Sequence, residues 1–237
     1  MLIGLLSDAH GNPLGLRRAL AALEAAGTTR NYFLGDAVGY LPGAGDVIQV
    51  LAETGTICQR GNHEAMLLGD LDLDPQRDAA YQLGLTRKRL TSDALALLES
   101  WPGFREIDVD RKRILMVHGS PRDRLQGYIY PDSDLDWMAE LGYDAIFMGN
   151  THRPFVAHRG DLLIVNVGSC GLPRDQGDLA ACAVYDSVAH HCEILRVRVP
   201  AESVLDQFDD AIHPVVSECL RRTTEAPIGT LVPQREP

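Results

Sequence analysis

Residues 2–6 form a short, wholly apolar run that stops at Ser7-Asp8, the pattern of a strand covered on both faces that ends at a polar site. The period then changes. Asn12 can cap a helix whose first position is Pro13, leucines and alanines recur over residues 14–26, and Gly27 supplies the stop. Residues 32–34 predict a second strand running into Gly35-Asp36, and residues 56–59 a third running into Gly61-Asn62-His63. Helices are expected between them. Three strand ends in succession thus deliver polar side chains, which is how an open α/β sheet builds a site at the carboxyl ends of its strands.

Residues 75–100, rich in Leu and Ala with Arg and Lys interspersed, predict two helices stopped by Pro102. From Arg105 the texture is β. Strands are expected over 105–109 and 113–117 about a turn at Asp110-Arg111, over 144–148, over 156–158 and 162–167 about Arg159-Gly160-Asp161, and over 181–185 and 193–199 as a second hairpin. The strand over 113–117 ends at His118, and that over 144–148 ends at Gly149-Asn150-Thr151-His152. Beyond Pro200 the pattern weakens to one short helix over 202–211 and a tail with Pro227, Pro233 and Pro237 that would dock on the body or on a partner. The expected layout is two sheets with helices outside them, a main domain over 1–199 and a C-terminal helix and tail over 200–237.

Composition changes this picture little. At 237 residues, 45% hydrophobic and 23% charged, the chain suits one large globular domain. Its net charge of -11 repels nucleic acid and anionic membrane surfaces unless a local positive site overrides it. No apolar run approaches the ~20 residues that cross a bilayer, and the N-terminus lacks the basic leader of a signal peptide. The five scattered cysteines, without a CxxC spacing, fit buried thiols in a reducing cytoplasm, with room for one cross-strand Cys182–Cys192 pair.

A single strand-end Asp commonly caps a turn, and a lone histidine such as His118 is commonly a hydrogen-bonded core residue. Repetition is the signal. Five apolar strands each end in Asp, Asn or His, usually beside a Gly that lets backbone approach closely. The ordered blocks Asp8-x-His10, Gly35-Asp36, Gly61-Asn62-His63-Glu64, His118-Gly119 and Gly149-Asn150-Thr151-His152 resemble the signature of the calcineurin-like metallophosphoesterases. The flanks Asp36-Ala37-Val38-Gly39-Tyr40, His118-Gly119-Ser120-Pro121-Arg122-Asp123 and Asn166-Val167-Gly168-Ser169 with Pro173-Arg174-Asp175 resemble its small bacterial branch, related to diadenosine tetraphosphatases and serine/threonine phosphatases.

The resemblance implies an α/β (α+β) fold, a four-layer αββα sandwich of two mixed sheets flanked by helices. It also implies two divalent metal ions, the first held by Asp8, His10, Asp36 and His152 and the second by Asp36, Asn62 and His118. Asp36 would bridge them, since one carboxylate can hold two cations. One position departs from the family. Asn150 stands where a histidine is usual, so an amide oxygen or a water would replace an imidazole on the second ion. Such an oxygen-rich set favours Mn2+ or Mg2+ over Zn2+, with Fe and Ni2+ the other candidates. The implied reaction is hydrolysis of a phosphate ester by a metal-bridging hydroxide. His63 would be the general acid, its ordinary pKa of about 6.5 suiting protonation of a leaving alkoxide. Asp8 and Asp36 face about four positive charges from two such ions, so the site stays positive within an acidic protein.

Candidate substrate contacts are Asn62, Tyr40, the arginines Arg60 and Arg153 beside ligand blocks, and backbone N–H groups at Gly168-Ser169, with Asn166 in support. Both arginines equally suit pairing with surface carboxylates. Residues 120–130 carry Arg122, Arg124, Tyr128 and Tyr130, able to stack on a base or to pack on the body. The expected partner is a small phosphorylated substrate of the phosphodiester or nucleotide type, with no membrane and no double-stranded nucleic acid; a homodimer is compatible with the sequence. A serine/threonine protein phosphatase is the alternative, but it needs an open groove that a rim over 120–130 would narrow. A silent scaffold, like the retromer subunit of this fold, would be expected to lose some of His10, His63, His118 and His152.

Overall fold

The computed structural model describes residues 1–208, 212–224 and 226–233. In chain order its strands are Leu2–Leu6 (β1), Arg30–Phe33 (β2), Ile57–Cys58 (β3), Phe104–Val109 (β4), Lys112–Val117 (β5), Ala145–Met148 (β6), Phe155–Arg159 (β7), Leu162–Asn166 (β8), Leu179–Asp186 (β9), His191–Arg198 (β10) and Thr230–Leu231 (β11). The helices are Pro13–Ala25 (α1), Ala44–Glu53 (α2), Asn62–Leu68 (α3), Pro75–Tyr81 (α4), Leu83–Arg89 (α5), Ser92–Ser100 (α6), Ala201–Leu205 (α7) and Pro214–Leu220 (α8). Two mixed sheets result, ordered β11-β10-β9-β1-β2-β3 and β4-β5-β6-β8-β7. In the first, β1 runs parallel to β2 and antiparallel to β9. In the second, β5, β6 and β8 run parallel, with β4 and β7 antiparallel at the edges.

The strands are apolar on consecutive residues because both of their faces are covered. From β1, Ile3 and Leu5 face the second sheet and meet Met116, Phe147 and Val165, while Leu6 belongs to the opposite cluster with Leu16, Leu23 and Val47 of α1 and α2. The outer face of the second sheet, Leu115, Val117, Ile146 and Met148, is closed by Leu135 and Met138, at and in a 3-10 helix, Asp136–Leu141. Two mixed sheets with helices outside them is the expected fold; the fourth layer is this 3-10 turn and its loop.

Three expectations need correction. Residues 75–100 hold three helices, because Gln82 takes a left-handed conformation (φ 54°) that separates α4 from α5 without the glycine that usually marks such a break. Cys182 and Cys192 do not pair: all five cysteines are free, and the register sets Cys182 opposite Leu195 and Cys192 opposite Tyr185, which puts the two thiols on opposite faces of the sheet. The helix expected over 202–211 ends at Leu205; its last residue, Ala211, and the tail's Pro237 lie outside the described residues. The chain after Val199 nevertheless packs on the body, with Val204, Val216 and Leu220 in the core and β11 paired to β10. Among the described residues no helix is long and apolar enough to cross a membrane.

Candidate metal centre

The ends of five strands converge on one edge of the sandwich. β1 delivers Asp8 and His10, β2 Asp36, β3 Asn62, β5 His118, and β6 Asn150 and His152; all are buried. At this edge the backbone turns sharply. Asp8, His10, Asp36, Tyr40, Asn150 and His152 all have positive φ, between 46° and 63°, a conformation costing a non-glycine residue on the order of 1 kcal/mol each and concentrated at functional sites. Neighbouring turns are tied to each other: Asp8 N–H donates to Gly35 O, His10 N–H to Asp36 O and Gly11 N–H to Ala37 O, each at 2.9 Å. Gly61 is required by contact, since a Cβ there would lie 2.2 Å from Asp36 Oδ1.

The imidazoles are oriented from behind. Nδ1 of His10, His118 and His152 lies 3.1, 3.0 and 2.6 Å from the carbonyl oxygens of Val38, Leu34 and Leu172. A carbonyl cannot donate, so each Nδ1 carries the hydrogen, and in the neutral ring Nε2 is left with a bare lone pair. Those lone pairs meet. Nε2 of His10 and of His152 are 3.0 Å apart. His152 Nε2 is 3.2 Å and His10 Nε2 3.6 Å from Asp8 Oδ1, while His118 Nε2 is 3.3 Å and His10 Nε2 3.6 Å from Asp36 Oδ2. Asn62 Oδ1 lies 2.9 Å from His118 Nε2, and Asp8 Oδ1 is buried with no hydrogen bond. Acceptors gathered on acceptors are unfavourable without a cation, so this donor set fits divalent metal. Three groups bring their ligand atoms within 4.8 Å of one another: Asp8-His10-His152, His10-Asp36-His63 and Asp8-Asp36-His118.

In the free protein a proton on His118 Nε2 stands in for a cation, facing Asp36 Oδ2 and Asn62 Oδ1. Burial alone would raise the Asp8 and Asp36 carboxyls, yet His152 and His118 beside the first, and His118 and His63 beside the second, hold both below the ordinary carboxylate range. Burial would lower His118, but Asp36 and Asp8 raise it to about 9. Burial, helped by the Arg174 charge, lowers His152 to about 4.

His63 adjoins this cluster, its Nε2 3.9 Å from Asp36 Oδ2. Its ring packs on His10 (centroids 4.6 Å apart), Tyr40 (5.1 Å) and Tyr81 (4.5 Å), and Nδ1 has no partner. The ordinary pKa expected from sequence does not hold here: burial lowers it to about 3. Glu64, in the sequence only the last residue of the Gly61-Asn62-His63-Glu64 block, organises the site. Its carboxylate accepts the N–H groups of Gly61 (2.7 Å), Asp36 (2.8 Å), Ala37 (2.8 Å) and Val38 (3.2 Å). Burial, then the nearby Asp36, raises its pKa, and the N–H donors pull the other way. A glutamine would turn an NH2 toward these donors, so Glu64→Gln is expected to cost about 2–3 kcal/mol in denaturant unfolding and to lower retained metal.

The expected substrate contacts fare unequally. Asn62 and Tyr40 line the centre, but Arg60 is held by Asp70 at 2.6 Å on the surface, the carboxylate pairing its sequence context equally allowed. Ser169 lies underneath: it is fully buried, its hydroxyl donates to Asp8 O at 2.7 Å, and the N–H of Gly168 is taken by Asn166 Oδ1. Arg153 is exposed and lines a cavity with Tyr130, Asp175 and Ile228. Arg122 and Arg124 lie over the rings of Trp137 and Phe104. Asn150 donates its N–H to Asp8 Oδ2 at 3.1 Å and its Nδ2 to Gly127 O at 3.0 Å, so its side chain latches the 119–127 loop. Sequence reasoning assigned no role to Arg174, whose Nη2 lies 3.3 Å from the Tyr40 hydroxyl, or to Tyr81.

Residues 1–188 match the family model described as the calcineurin-like phosphoesterase superfamily domain. The crystal structure of a metallophosphoesterase from Sphaerobacter thermophilus is similar at a TM-score of 0.78 and 26% identity, over 93% of this chain and 98% of that one. A hypothetical protein from Pyrococcus horikoshii OT3 shares the fold, with a TM-score of 0.82 at 21% identity over 95% and 99% of the two chains. An uncharacterized protein of Methanocaldococcus jannaschii is 29% identical over 224 residues, 87% of this chain and 91% of its own length.

Proposed function

The chain belongs to the calcineurin-like phosphoesterase superfamily, and from that premise we propose that it hydrolyses a small phosphate ester, of the phosphodiester or nucleotide type, with two divalent cations, Mn2+ foremost. The observation that carries this reading is the meeting of three Nδ1-anchored imidazoles with two buried carboxylates, the His10 and His152 lone pairs 3.0 Å apart. Asp8, His10, Asp36 and His152 would hold one ion, and Asp36, Asn62 and His118 the other. When bound, the ions would supply Lewis acidity, lowering the pKa of water and taking up charge on the phosphoryl oxygens.

The chain's own residues do the rest. Burial of every ligand excludes bulk water, which strengthens each charge interaction at the centre. His63, beside Asp36, is placed to hand a proton to the leaving oxygen; an arriving phosphate would bring the negative charge that favours its protonated form. The 119–127 loop, latched by Asn150 and followed by Tyr128, borders the mouth and suits a small ester better than a phosphoprotein. All four histidines that a scaffold would be free to lose are present and converge. Five free, buried cysteines support action in a reducing cytoplasm.

The test is hydrolysis of bis(p-nitrophenyl) phosphate and p-nitrophenyl phosphate by purified protein, with Mn2+ and then with chelator. Mn2+-dependent cleavage that chelation abolishes is expected; no cleavage of either ester overturns the reading. The departure at Asn150 gives a second outcome. Asn150→His adds an imidazole to the oxygen-rich side and is expected to make the second ion roughly tenfold harder to strip with chelator. Metal analysis after graded chelation checks it.

A further inference from the structure

A buried arginine is ordinarily paired with a carboxylate, because an unpaired charge taken out of water is costly. Arg174 breaks that rule. It is half-buried, and among the described residues its guanidinium makes no ion pair and donates to the Tyr40 hydroxyl at 3.3 Å. A guanidinium has five N–H donors in a rigid fork, so most of its capacity is uncommitted.

Its position is fixed by its own backbone. The Arg174 N–H donates to the carbonyl of the candidate ligand His152 at 3.2 Å, and the Arg174 carbonyl accepts from Arg222 Nη1 at 3.1 Å. The next residue, Asp175, is gripped bidentately by Arg196, which is 1% exposed and also donates to Leu179 O at 2.7 Å. Its charge acts on Tyr40, Asp8, Tyr128 and His152 at the metal centre, and on Cys219 of α8 behind it. Arg60, Arg122 and Arg124 are engaged by Asp70, Trp137 and Phe104, and Arg153 is exposed in a cavity with Tyr130 and Asp175.

We infer that Arg174 binds the non-bridging phosphoryl oxygens of the substrate, held in place by the His152 and Arg222 backbone contacts and aimed by the Tyr40 hydroxyl. The inference rests on the phosphoesterase reading and gives that site its fixed cation. A planar fork against two oxygens of one tetrahedral anion supplies two parallel charge-assisted hydrogen bonds, which lysine cannot reproduce. Binding through the phosphoryl group leaves the ester's remainder to meet Tyr128, which is 50% exposed at the mouth.

Orthophosphate is the probe. Calorimetric titration of the Mn2+-loaded wild type, Arg174→Ala and Arg174→Lys, with metal content and melting temperature measured on each, separates anion binding from folding. Orthophosphate affinity is expected to fall roughly ten- to a hundredfold in Arg174→Ala and less in Arg174→Lys, with metal content kept. Added guanidinium is expected to restore part of the ester hydrolysis that Arg174→Ala loses, which a merely structural arginine would not allow. Orthophosphate bound within twofold of wild type by metal-loaded Arg174→Ala, or no orthophosphate binding by the loaded wild type, overturns the inference. Should Arg174→Ala fail to fold, Arg174→Lys decides alone, and unchanged orthophosphate affinity in it counts against the bidentate grip. Failure of the wild type to cleave either nitrophenyl ester would instead strike the phosphoesterase reading, and the titration would still judge Arg174.

Discussion

Asp36→Asn is expected to strip the centre of metal and to lower kcat/KM by about three orders of magnitude or more, roughly 4 kcal/mol of transition-state stabilisation. Both carboxylate oxygens are in use. Oδ1 accepts the His63 N–H at 2.9 Å, and Oδ2 lies 3.3 Å from His118 Nε2 and 3.6 Å from His10 Nε2. An amide leaves one acceptor for both tasks. Either its NH2 opposes the His63 N–H, or it points at the place where a cation should sit. The neutral group also removes one of the two negative charges that offset the ions. Stability should fall with it. In the metal-free protein burial would raise the Asp36 carboxyl, but His118 and His63 hold it ionised below the ordinary carboxylate range, and Asp36 in turn raises His118 to about 9, so at neutral pH the neutral variant loses a favourable buried charge pairing and should unfold earlier than wild type even without metal. Metal analysis and unfolding curves, each with and without Mn2+, check both halves. A variant that keeps its metal and its turnover would remove Asp36 from the centre.

What the sequence made legible follows from the range of the interactions involved. A strand that ends at a site shows itself within a few residues, as an apolar run stopped by Asp, Asn or His, and β1, β2, β5 and β6 were all readable in this way. Directions of long side chains were not. Arg60 lies beside the Gly61-Asn62 block in sequence, yet Asp70 draws it to the surface; Arg174 lies in the flanking Pro173-Arg174-Asp175 segment, outside the five ligand blocks, and is carried to His152 by the loop after β8. Glu64 gave a partial sign, since Gly61-x-x-Glu64 before a helix is a capping pattern. That the same carboxylate also gathers three N–H groups from the loop after β2 depends on tertiary approach. The Cys182–Cys192 spacing was compatible with a pair until the register, three residues off, put the thiols on opposite faces.

His63→Ala tests the part of the chemistry that the chain itself performs. The ring is 3% exposed, wedged between Tyr40 and Tyr81, and a Cβ on Gly39 would stand 2.3 Å from its Nδ1, so its placement leaves little freedom. With burial lowering its pKa to about 3, the ring is neutral in the free protein at pH 7 and becomes a useful acid only beside a bound phosphate. The cost of removing it should therefore depend on the leaving group. For an alkyl ester, whose alkoxide must be protonated as it departs, turnover is expected to fall about 10²- to 10⁴-fold. For a p-nitrophenyl ester, whose phenolate leaves unaided, the loss should be at least tenfold smaller, because little proton transfer remains to be catalysed. Retained Mn2+ should stay close to wild type, since the His10, His118 and His152 lone pairs and both carboxylates are untouched. Equal losses on the two esters would make His63 a packing residue of the Tyr40–Tyr81 wall. Metal loss in step with activity would instead make it a ligand, a role its membership of the His10-Asp36-His63 group leaves open to measurement.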